Sequence, residues 1–157
     1  MKGLLRQFFI KLFKINDTPH KIALGFGIGV FLGIIPGTGP LVALIIASFL
    51  RINRAAAILG SLLTNTWTTL LTTILSIKIG STILGLNWQE VYKSWLNLLK
   101  DFQWGNLFKL SILKIILPIL IGYFMIALFL GLLVYLIFLL ILTRRKNENK
   151  DRIKLSG

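Results

Sequence analysis

Between Ile22 and Leu50 the chain runs for 29 residues without a formal charge, yet the middle of that stretch reads Pro36-Gly37-Thr38-Gly39-Pro40. Proline removes a backbone donor and clashes with the preceding turn, so no straight helix passes through two prolines four apart. Hydrocarbon cannot solvate the carbonyls this frees, and such a break is tolerated only where protein or a water-lined cavity surrounds it. The apolar stretch therefore divides. Its halves, Ile22 to Ile35 and Leu41 to Leu50, span roughly 21 Å and 15 Å as helix, and neither crosses a hydrocarbon core of about 30 Å.

Composition sets the class. In 157 residues the apolar share is 55% and the mean hydropathy +0.81, above the ~45–50% apolar share of soluble domains. The expectation is an all-α integral membrane protein: a re-entrant broken hairpin plus two long transmembrane helices, with amphipathic interfacial helices. The absence of cysteine excludes disulfides and thiolate metal sites. The net charge of +13 does not point to nucleic acid, because the basic residues sit mostly at the ends of apolar segments. There they bias orientation and meet anionic lipid headgroups in the bilayer.

Five segments follow. Residues 1–18 form a basic amphipathic helix suited to lying at the interface, with Leu4, Leu5, Phe8, Phe9, Leu12 and Phe13 on one face. Residues 19–85 are the membrane core, holding the hairpin at 22–50 and an uncharged helix at 55–77. Asn16-Asp17-Thr18-Pro19 reads as the cap that opens this core. Residues 86–110 form an amphipathic interfacial segment, with Trp88, Val91, Tyr92, Trp95, Leu99 and Phe102 at helical spacing and Gln89, Glu90, Lys93, Asn97, Lys100 and Asp101 opposite. That stripe serves as an anchor or as a ligand-stacking platform. Residues 111–143 form a long transmembrane helix, and residues 144–157 a basic cytoplasmic tail.

Charge chooses between two topologies. A re-entrant hairpin puts the N-terminal helix, the turn bearing Arg51 and Arg54, and the tail bearing Arg144, Arg145 and Lys146 on one side, which then collects 13 of the 18 lysines and arginines. A broken single span splits them 10 to 8. The positive-inside rule favours the hairpin and a multi-pass protein of the inner (cytoplasmic) membrane with N- and C-termini in the cytoplasm.

Small residues mark packing faces. Gly25, Gly29 and Gly33 recur every four residues, with Ala23 and Gly27 alongside, and Ala56, Gly60 and Thr64 form a similar seam. These two faces are expected to touch, since close backbone approach drives association where water supplies no hydrophobic force. The run from Thr64 to Thr73 then places six threonines and Asn65 in the same apolar stretch. Threonine hydroxyls bond back to their own helix, so Asn65 is the costly residue. Asn65, with Thr66, Thr68 and Thr69, is expected to meet the backbone of the hairpin tip at Pro36, Gly37, Thr38, Gly39 and Pro40. The meeting forms either a neutral polar path or a mutual cap.

The run from His20 to Thr69 resembles the bacterial membrane-domain family catalogued as domain of unknown function number two thousand and sixty-two. The shared features are a Gly-rich helix, a Pro-Gly break, the Arg51-x-Asn53-x-x-Ala56 turn and the Gly60 to Thr68 stretch ending Asn65-x-Trp67-Thr68. The resemblance spans roughly Pro19 to Gly85. Family members often carry a glutamine or histidine after the break and a proline after the asparagine; here Pro40 or a neighbour, and Thr66, hold those places. The family is uncharacterised, and fusion of some members to glycosyltransferases implies envelope or lipid-linked sugar work.

No aspartate or glutamate occurs between Thr18 and Gln89, and the single histidine is His20. Carboxylate relays, histidine metal centres and nucleophile triads thus lack parts in the core. No enzyme activity, cofactor or metal is expected. Two functions remain: translocation of a small neutral or lipid-linked solute along a path at the hairpin tip, or a scaffold or partner subunit for an envelope-biogenesis enzyme. Translocation calls for a homo-oligomer, because a monomer this small encloses little.

Overall fold

The computed structural model describes residues 17–63, 66–100 and 110–155, with side chains at 17–63, 68–100 and 112–147. Among them are six helices and no strand: α1 (Pro19–Ile34), α2 (Gly39–Phe49), α3 (Arg54–Leu62), α4 (Thr66–Ile83), α5 (Trp88–Lys100) and α6 (Leu110–Leu155). The helix expected within residues 1–18 lies almost wholly outside the described residues.

Sequence chemistry sets the boundaries. Thr18 caps α1, its hydroxyl accepting from the Lys21 N–H (3.4 Å), and Pro19 follows in the first turn, where its missing donor costs nothing. α1 ends at Ile35, in extended conformation before Pro36, as the residue preceding a proline prefers. Gly37 (φ 87°) and Gly39 (φ 60°) then turn the chain into α2 with backbone angles that a side chain resists. α2 stops in a Schellman motif: the Ile52 N–H donates to the Ala47 carbonyl (3.1 Å) and the Arg51 N–H to that of Ser48 (3.3 Å). α4 ends the same way, with Leu86 donating to Ser81 (2.8 Å) and Gly85 to Thr82 (3.2 Å).

Of the stretch expected as one helix over 55–77, the described residues form α3 (Arg54–Leu62) and the first part of α4 (Thr66–Ile83). Among the described residues one helix, α6, is long and apolar enough to cross a membrane, over Ile112–Asn147. The helix expected over 111–143 runs on through Arg144, Arg145 and Lys146 to Leu155.

The chain forms two compact units, one of Met1–Thr64 with Phe129–Gly157 and one of Asn65–Leu128. In the first, α1 packs against α2 and, more extensively, α3. α1 and α3 run parallel: a Cβ on Gly25 would stand 2.6 Å from the Asn53 carbonyl oxygen, one on Gly60 2.5 Å from that of Phe26, and one on Gly29 would collide with the Ala57 carbonyl. The C-terminal half of α6 lies antiparallel on α1, with Gly27 against Gly131, Phe26 stacked on Phe138 at 4.0 Å, and Leu142 clustered with Ile22, Ala23 and Ala56.

In the second unit α4 crosses the N-terminal half of α6 at backbone contact, Gly80 against the Pro118 carbonyl and Gly122 against that of Ser76. Pro118 inside α6 withdraws one backbone donor and is itself fully buried. Gly80, Gly122 and Gly131 are packing residues that the sequence pattern did not single out, since each is isolated and shows its purpose only beside its partner.

Candidate functional site

The hairpin tip is assembled from backbone, capped by one side chain. The Thr38 hydroxyl lies against the Leu32 carbonyl and donates to that of Ile35 (2.9 Å), so it occupies carbonyls left free where α1 ends. Pro36, Gly37 and Pro40 are exposed, and nothing stands within 4 Å of a Cβ placed on Gly37 or Gly39. The tip thus offers neutral backbone dipoles and no formal charge.

The base of the hairpin is tied. The Asn53 N–H donates to the Lys21 carbonyl (3.3 Å), joining the start of α1 to the turn after α2. Asn53 is 2% exposed and spends every polar atom: its Oδ1 caps α3 by accepting from the Ala56 N–H (2.8 Å), its Nδ2 donates to the Asp17 carboxylate (2.8 Å), and its carbonyl accepts from Ala57 (3.1 Å). This hub was not recognised in the sequence as a polar site. The available signal was an asparagine immediately before an alanine-rich helix.

The tie brings Arg51 and Arg54 to the Lys21 end of the first unit. Antiparallel packing of Leu142 against Ile22 and Ala23 carries Arg144, Arg145 and Lys146 to the same end, one turn beyond. His20 sits there too, its Nδ1 3.0 Å from the Tyr135 hydroxyl.

Of the packing residues, Gly25, Gly29, Ala56 and Gly60 come together between α1 and α3, while Gly33 lies near the end of α1, half-buried. Asn65, with Thr64, lies outside the described residues, as do the side chains of Thr66 and Trp67. Thr68 and Thr69 belong to the second unit and the hairpin tip to the first.

The threonine-rich face of α4 is bonded inward. Thr72 donates to the Thr68 carbonyl (2.8 Å), Thr73 to that of Thr69 (2.7 Å), and Ser76 to that of Thr73 (2.9 Å). Thr73 also meets the buried Tyr123 hydroxyl at 2.5 Å, a cross-helix bond within the second unit. Ser81 Oγ is buried without a partner among the described residues.

On α5 the apolar stripe is mostly open: Val91 is buried, Tyr92 and Trp95 are half-buried, and Trp88 and Leu99 are exposed. Trp88 lies 6.0 Å beneath the Lys78 ammonium. Phe102, Trp104 and Asp101 lie outside the described residues. Among the described residues no group of histidine, aspartate and glutamate could hold a metal ion.

No curated protein and no solved structure matches the chain. A family does, and over more than the Pro19 to Gly85 stretch that carries the motifs: the match runs through residues 2–151, taking in α5 and nearly all of α6. The chain belongs to the family described as "Uncharacterized protein conserved in bacteria (DUF2062)".

Proposed function

We propose that the chain is an integral protein of the cytoplasmic membrane, with a re-entrant α1–α2 hairpin and both termini cytoplasmic. Its exposed tip would offer a neutral polar site to a small neutral or lipid-linked solute. The observation that carries the membrane reading is an inverted distribution of polarity within each unit. Leu41 (76% exposed), Ile45 (66%) and Phe49 (86%) line the outer face of α2, and only 17% of the apolar window of α6 is buried. Asn53, Ser76 and Ser81 are inside. A water-soluble surface rarely carries contiguous apolar patches on that scale.

Hairpin geometry supports the re-entrant element. At 16 residues α1 reaches about 24 Å, short of a ~30 Å core. Its base is tied at Lys21 and Asn53, at the basic end of the unit, which the positive-inside rule assigns to the cytoplasm. Exposed tip backbone at that depth needs water or protein around it, which is the argument for a solute path. The inward bonding of Thr38, Thr72 and Thr73 favours the second reading, a dry scaffold for an envelope enzyme.

Single cysteines in intact cells test both. Asn53 is unsuitable because it is a buried cap, so the exposed positions Leu50, Lys146, Asn97 and Pro40 serve. Protection of Leu50→Cys and Lys146→Cys from an impermeant thiol reagent, with Asn97→Cys reactive, is expected. External labelling of Leu50→Cys would overturn the hairpin. Labelling of Pro40→Cys supports the solute path, and its protection at normal abundance supports the scaffold.

A further inference from the structure

Within the second unit, the start of α5 with Leu86 and Asn87 before it, and the first turns of α6, line an open cleft of about 340 Å³ whose chemistry none of the preceding roles uses. Asn87, Glu90, Val91 and Ser94 recur along one side of α5, at spacings that share a helix face, and Lys114 and Ile115 of α6 stand opposite. Glu90 is exposed, as its place on the polar face of α5 leads one to expect, and it borders this cleft. Glu90 and Lys114 have no hydrogen bond or ion pair, with each other or with any described residue. An acid and a base that share one cleft without pairing are complementary to a ligand carrying both charges.

We propose that this cleft binds the headgroup of a zwitterionic phospholipid with a primary ammonium, the chemistry of phosphatidylethanolamine. Glu90 receives the ammonium. Lys114 Nζ, the Ser94 hydroxyl and the Asn87 amide donate to the phosphate. The Asn87 Oδ1 already accepts from the Gln89 N–H (3.0 Å), which leaves the two N–H donors of the side-chain amide for the phosphate. The amide N–H groups at the start of α5 add positive potential to the phosphate side.

A lipid suits the cleft better than a free metabolite because of what surrounds it. Leu113 (60% exposed) and Leu117 flank Lys114 on the outside of α6, an apolar track for acyl chains beside the headgroup. Trp88, Tyr92 and Trp95 on α5 are side chains that favour headgroup depth. The proposal rests on the membrane reading above.

The test uses the full chain in mild detergent, with phosphatidylethanolamine, phosphatidylcholine and phosphatidylglycerol of matched acyl chains, and reads lipid adducts by native mass spectrometry. Phosphatidylethanolamine is expected to bind about tenfold more tightly than phosphatidylglycerol, the scale of one charge-assisted hydrogen bond. Glu90→Gln should erase that preference, and Lys114→Gln should weaken both lipids by about tenfold. Equal binding of the two lipids by the unaltered chain overturns the proposal, as does a Glu90→Gln chain that keeps the preference. Displacement of the lipid by equimolar phosphoethanolamine would assign the cleft to a soluble ligand and overturn the lipid reading. Should a variant unfold, the lipid ranking and the phosphoethanolamine competition on the unaltered chain decide. Flotation with phosphatidylcholine vesicles separates the two levels. A chain that fails to float overturns the membrane reading, and one that floats without headgroup preference overturns the site alone.

Discussion

The Asn53 side-chain amide donates to the Asp17 carboxylate across 2.8 Å, joining two residues 36 positions apart while the same side chain caps α3. One buried asparagine thereby fixes the approach to α1, the turn after α2 and the start of α3.

Asn53→Ala removes the cap and leaves Asp17 without this partner, so stability should fall by about 1–3 kcal/mol. Asn53→Asp keeps the cap acceptor but sets two carboxylates together. Its loss should be recovered in part by Asp17→Asn. Thermal melting in detergent of the single and double variants measures both effects; an additive double variant would show that the two side chains are not coupled.

Arg51 is the only described residue other than glycine with a positive φ, at 54°, and it holds the position in its Schellman motif that Gly85 holds after α4. Arg51→Gly should therefore stabilise by about 1 kcal/mol, and Gly85→Ala should destabilise by a similar amount. Opposite shifts in denaturant midpoint for the two variants are the expected result.

Gly29 and Gly60 face backbone directly, so Gly29→Ala and Gly60→Ala should each force α1 and α3 apart at a cost of about 1–3 kcal/mol. Gly37→Ala meets no atom and carries only the penalty of its φ. Folded yield by fluorescence-detected gel filtration should fall for the first two well before the third.

Tyr123→Phe and Thr73→Val each remove one end of the cross-helix hydrogen bond and should cost about 0.5–1.5 kcal/mol. In a double-mutant cycle the pair should cost less than the sum, because the second change removes a bond already gone.

The separation of α1 from α2 was legible because proline and glycine act locally: Pro36 denies a donor, and Gly37 and Gly39 take angles other residues avoid. The α1 and α3 seams were legible from their four-residue recurrence. The bond between Thr73 and Tyr123 was not, because its two residues lie 50 positions apart. Nor was the use of Asn53, which the charges of Arg51 and Arg54 made look like a surface turn, or of Gly80, Gly122 and Gly131, whose partners lie far along the chain.

The first unit takes its residues from both ends of the chain, 1–64 and 129–157. During synthesis α1, α2 and α3 can associate as soon as they emerge, since their contacts close short loops. The face of α1 bearing Phe26 and Gly27 has to wait for Phe138 and Gly131, more than a hundred residues later. A nascent chain halted before Phe129 thus leaves the Phe26 and Gly27 face of α1 uncovered, open to chaperones and proteases until the rest of α6 is made.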